Sequence, residues 1–98
     1  MSIHFVIEMQ KEQTAQSVMR ALDLYKARLR NGVERTRRHL TDFETRYQVK
    51  TALFLQKMTA EDLDGGDLEY VEWAGEAKLL AGLEDELGEL EHARYQLP

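Results

Sequence analysis

The chain has no cysteine, two serines and a single proline at its last position, and no apolar run long enough to cross a membrane. Without cysteine there is no disulfide framework and no thiolate zinc site. Ser2 and Ser17 stand outside any nucleophile-elbow pattern, and Gly65-Gly66 lacks the Lys and Ser/Thr that a phosphate-cradling loop needs. The opening MSIHFVIEMQ lacks a basic start and is too short for a signal peptide. The expected setting is the cytoplasm, without a membrane anchor. Catalysis is not expected, and neither is a cofactor. The hydrophobic share of 43% excludes a wholly disordered chain. A compact globule of 98 residues buries only roughly 65% of its unfolded surface, so its own core is modest.

The net charge of -5 hides a division. Met1–Met19 carries -1, Arg20–Lys50 carries +5 from nine basic and four acidic residues, and Thr51–Pro98 carries -9 from three and twelve. Opposed fields favour folding one region back on the other, or pairing between chains. Exposed ion pairs add only roughly 0–1 kcal/mol each, so the fold must come from apolar positions.

Those positions divide the chain into four parts. Residues 1–11 form an arm in which Ile3, Phe5, Ile7 and Met9 alternate with His4, Glu8 and Gln10, the pattern of a short β-strand. A lone strand needs an edge from a second copy or a partner; the alternative is a terminus laid over helices. Residues 12–48 form a long basic helix. Val18, Leu22, Tyr25, Leu29, Val33, Thr36, Leu40, Phe43 and Tyr47 recur at an average of 3.6 residues. Such a helix is about 50 Å long at 1.5 Å per residue and needs another helix on its stripe. Gly32 sits at the doubled step of four, explained by a close backbone approach or by a bend. Residues 49–66 hold a short helix that Thr51 can cap, a further turn that Thr59 can cap, and the Asp64-Gly65-Gly66-Asp67 turn. Residues 67–98 form an acidic, leucine-rich helix with Asp67 as N-cap and a stripe of Trp73, Ala77, Leu80, Leu83, Leu87 and Leu90. Ala74, Gly75, Ala81 and Gly82 leave a thin flank. The expected fold is mainly α: a long antiparallel helical hairpin with a short connecting helix and a short N-terminal β-strand, paired into a dimeric bundle or higher oligomer.

Three constellations carry candidate chemistry. Glu89 and His92 have the Glu-x-x-His spacing of di-metal bundles, but the glutamates of the first helix lie off its main stripe, so no metal site is expected. Arg28, Arg30, Arg35, Arg37 and Arg38 offer a basic helix that can contact phosphates, with DNA in operator regulation as one target, or pair with acidic protein. No base-reading motif accompanies them. Tyr47, Phe54, Asp67, Tyr70, Glu72 and Trp73 bracket the joint, as a protein-binding surface or as a hydrophobic cap closing the hairpin.

Across Leu22–Glu91 the order FETRY, TALFLQKM, an acidic Gly turn and EYVEWAGEAKLL resembles the TumA-like antitoxins, partners of TumE-like toxins. The resemblance sits on Phe43, Glu44, Arg46, Tyr47, Phe54, Asp67, Glu72, Trp73 and Ala74, and departs at DLDGGD, where a single Gly before a separated acidic pair is the pattern. It implies a non-enzymatic antitoxin that covers a cognate toxin with a helical surface.

Overall fold

The computed structural model describes residues 2–57 and 67–94. The described residues form an all-α, three-helix bundle: α1 Glu12–Tyr47, α2 Thr51–Lys57 and α3 Asp67–His92. The expected N-terminal strand is corrected, since no β-strand occurs among the described residues. Ile3, Phe5 and Val6 are 76–89% exposed and lie in no regular element. A strand exists only through ladder bonds to a neighbour, and the other elements among the described residues are helices, which offer no sheet edge. The second cap expected at Thr59 and the Asp64–Gly66 turn lie outside the described residues, as does the side-chain role expected of Asp67.

α1 starts weakly. Lys11 occupies the N-cap without a side-chain bond, and only its carbonyl is used, by the amides of Thr14 and Ala15. The C-terminus is built more firmly. Gln48 turns left-handed (φ 56°, ψ 39°), its backbone N–H and that of Val49 return to the Glu44 carbonyl, and its carboxamide donates to Thr45 O at 2.7 Å. This is the usual helix stop with Gln where Gly is commoner. α1 runs without a break through Gly32.

α1 and α3 pack antiparallel in one register. Arg46 pairs with Glu69, His39 with Glu76, and Gly32 meets Leu83, so each step of seven along α1 is matched by seven back along α3. Leu29, Gly32, Val33, Thr36, Leu40 and Phe43 form the buried face of α1. Ala77 and Leu80 of α3 pack against the end of this seam that Leu40 and Phe43 form with Phe54 and Trp73. At Gly32 the neighbour is a side chain and not the expected backbone: a Cβ there would lie 3.3 Å from Leu83 Cδ1. That atom ends a flexible side chain, and alanine gains about 1 kcal/mol of helix propensity over glycine. Gly32→Ala is therefore expected to change stability by less than ~1 kcal/mol in either direction, measured by urea unfolding. Gly32→Phe is expected to separate the helices, and a loss no larger than that of alanine would refute the close contact.

The molecule is extended, 60 × 27 × 17 Å, with a radius of gyration of 19.1 Å. A compact chain of this length has about 13 Å. Its surface is 8121 Å², against roughly 5,800 Å² for a compact monomer of its mass. Two long helices side by side leave both faces of their layer open. α2 covers part of one face at the joint, where Phe54 enters the core.

Candidate functional site

Two regions carry the residues singled out from the sequence: the joint and the open face of the hairpin. At the joint, Trp73 is fully buried and Phe54 nearly so (0% and 1% exposed). The Trp73 ring is parallel to Phe54, with centroids 3.9 Å apart, and to Phe43 at 5.4 Å; Tyr47 stacks at 5.7 Å. Tyr70 tilts against Phe54 at 5.3 Å. The Arg46 guanidinium lies 5.5 Å from the Phe43 centroid and bonds Glu69 at 3.0 Å. Tyr47, Phe54, Tyr70 and Trp73 thus meet in one cluster that closes the hairpin. Glu72 is exposed beside it, facing outward.

A polar relay holds this cluster. Trp73 Nε1–H donates to Thr51 Oγ1 at 3.0 Å, and the Thr51 hydroxyl donates to Glu44 Oε2 at 2.8 Å. The Thr51 amide donates to the same oxygen at 2.8 Å. Glu44 thus caps the first turn of α2 from the end of α1, while Thr51 anchors the only tryptophan. The sequence predicts Thr51 as the cap of this helix; instead Thr51 is its first residue and is itself capped by Glu44, and its part as the hub is hidden in the sequence because residues 44, 51 and 73 come from three helices. The two hydrogen bonds from Thr51, its amide's first and its hydroxyl's second, hold the Glu44 carboxyl below its ordinary 4.5, with Lys50 4.0 Å away adding to the effect. A carboxylate depressed in the folded state contributes stability that is complete above 4.5 and is lost as pH falls through the lower folded value. Glu44→Gln is expected to lower the melting temperature at pH 7, with the gap to wild type closing as the pH falls below 4.5. A gap that stays constant down to pH 3 would refute the role.

The five arginines do not form one patch. By helical spacing Arg28 and Arg35 share one flank of α1, Arg30 and Arg37 the other, and Arg38 points outward. Arg37 is held by Glu84 at 2.8 Å.

The open face lies on the Arg28–Arg35 flank. One groove of about 460 Å³ runs between His39, Asp42 and Arg46 of α1 and Val71, Gly75 and Glu76 of α3. From Gly75 a shallow surface on α3 alone continues along Leu79, Gly82 and Glu86. Leu68, Val71 and Leu79 are 68%, 63% and 47% exposed. This second apolar stripe of α3, residues 68, 71, 75, 79 and 82 at steps of three and four, was written in the sequence but hidden by the stronger Trp73–Leu90 stripe. Near its end Tyr25 donates to Glu86 Oε1 at 2.6 Å, which holds the phenol above its usual 10.0.

His92 Nδ1 lies 2.7 Å from the Gly88 carbonyl of its own helix. Among the described residues no three His, Asp or Glu side chains converge as metal ligands, and no helix is long and apolar enough to cross a membrane. Compared with known proteins, the chain matches no family model, no curated protein and no solved structure. The joint and the open face therefore carry the functional argument by their own geometry.

Proposed function

We propose that this chain is a helical self-association module, acting by binding and not by catalysis, whose hairpin pairs with a second hairpin into a four-helix bundle. The carrying observation is the open face. An apolar stripe in which Leu68, Val71 and Leu79 are 68%, 63% and 47% exposed runs with two glycines along one side of the hairpin. Gly75 and Gly82 would each tolerate a Cβ without a contact inside 4 Å, so nothing among the described residues requires glycine there. Each costs about 1 kcal/mol against alanine in a helix. A neighbouring backbone would give that cost a purpose. Sedimentation equilibrium at micromolar concentration is expected to show a dimer. Leu79→Glu is expected to weaken association at least tenfold with helicity unchanged, and a monomeric wild type would overturn the reading.

Toxin neutralisation is a second use of the same face, with a cytoplasmic toxin in place of the second copy. Its support is the resemblance at FETRY and EW, together with the exposed acidic residues of α3 beside the apolar stripe, Glu72 and Glu86 among them. Co-expression with the neighbouring gene product tests it: Val71→Glu is expected to abolish rescue, and the absence of any toxicity to rescue would sink it. DNA contact through the arginines has less support, since they are spread around α1 and Arg37 is engaged by Glu84.

A further inference from the structure

The two edges of the open face carry opposite charge. On the α1 edge stand Arg28, Arg35, His39 and Arg46, broken by Asp42; on the α3 edge stand Glu69, Glu72, Glu76 and Glu86, broken by Lys78. Within the chain, Arg46 engages Glu69, His39 engages Glu76 and Tyr25 engages Glu86. These contacts are incomplete. The second oxygens of Glu69 and Glu76 are buried without a hydrogen-bond donor among the described residues. A buried acceptor left unpaired is costly.

Two copies can meet face to face about a two-fold axis in only two ways. With the axis across the helices, α1 lies on α1 and α3 on α3. The basic edge of α1 then faces the same basic edge running the other way, and the acidic edge of α3 faces its own copy. With the axis along the helices, α1 of each copy lies on α3 of the other, and the basic edge meets the acidic edge. Like charges brought together at an interface are penalised and opposite ones set the register. The second arrangement also preserves height along the bundle. The ladder that puts Arg46 level with Glu69 and His39 level with Glu76 puts Arg35 level with Leu79–Leu80. Arg35 of a second copy would then lay its aliphatic stem over Leu79, with its guanidinium about one helical turn from the unpaired oxygen of Glu76. Gly75 and Gly82 flank that height and let the incoming helix close in.

We propose that a second copy of this chain docks on the open face about an axis parallel to the helices, laying α1 of each copy against the shallow Gly75–Gly82 surface on α3 of the other. This rests on the self-association reading above and adds its geometry. The chain has no cysteine, so single thiols report cleanly. Arg35→Cys and Leu79→Cys proteins are mixed and mildly oxidised, and the disulfide-linked species are identified by mass. The mixed disulfide is expected to exceed either self-linked species at least tenfold. Arg28→Cys with Glu86→Cys repeats the measurement near the next level, should one variant fold poorly. Sedimentation of the unmodified protein is run alongside. A dimer that yields self-linked Leu79→Cys, or no mixed link at either level, overturns the arrangement and leaves self-association standing. A monomer overturns both.

Discussion

Replacing Trp73 with alanine is expected to cost about 3–5 kcal/mol, the range for a large aromatic removed from a filled core. The expectation rests on what the ring touches. It is fully buried, stacked in parallel with Phe54 and Phe43 and in contact range of Tyr47, so its loss opens a void shared by all three helices. Domains of this size have only about 5–15 kcal/mol in total. The variant should therefore melt far below wild type, with the joint released first. Circular dichroism during urea unfolding measures the loss. Leu53→Ala is the control, because Leu53 is 44% exposed on the same short helix and should cost under ~1 kcal/mol. A Trp73→Ala loss below 1 kcal/mol would show that the joint does not hold the hairpin. The same ring is the only tryptophan, so fluorescence excited selectively at tryptophan reports on this joint.

Thr51→Val is expected to destabilise by about 2–3 kcal/mol although it barely changes volume. Valine removes the hydroxyl that accepts from Trp73 Nε1 and donates to Glu44 Oε2. The indole N–H, in a fully buried residue, then has no acceptor at that place, and the carboxylate loses one of its two Thr51 donors. Thr51→Ser keeps the hydroxyl and should cost less than half as much. A double-mutant cycle with Glu44→Gln is expected to show coupling above ~0.5 kcal/mol, as for groups within one hydrogen-bond network. Additive effects would mean that the three groups do not act as a unit. Together with the pH dependence of Glu44, this separates the relay from simple packing around the ring.

Much of the hairpin is readable without coordinates. Leu29, Val33, Thr36, Leu40 and Phe43 are buried where a 3.6-residue period puts them, and the stop after Tyr47 falls where the stripe ends. The joint is readable only in part. Phe54 and Trp73 are large aromatics near a turn, a description that fits an exposed binding surface as well as a sealed cap. Exposure is decided by whether α2 folds onto the pair of long helices, and that depends on the Glu44 and Thr51 bonds across 7 residues of chain. The strand expected for Ile3–Met9 failed for a related reason. Alternation states which side chains can share a face, but a strand also needs a neighbouring ladder.

By itself the sequence determined the two long helices, their apolar stripes, the break between them and the division of charge, because each depends on local spacing and composition. Only the tertiary structure decided the register, which pairs Arg46 with Glu69, His39 with Glu76 and Gly32 with Leu83. It also decided that Trp73 faces inward and that Leu68, Val71 and Leu79 face outward. Helical periodicity fixes angles around one axis. Which angle is covered depends on the neighbour, and α3, apolar on two sides, can cover only one of them against α1.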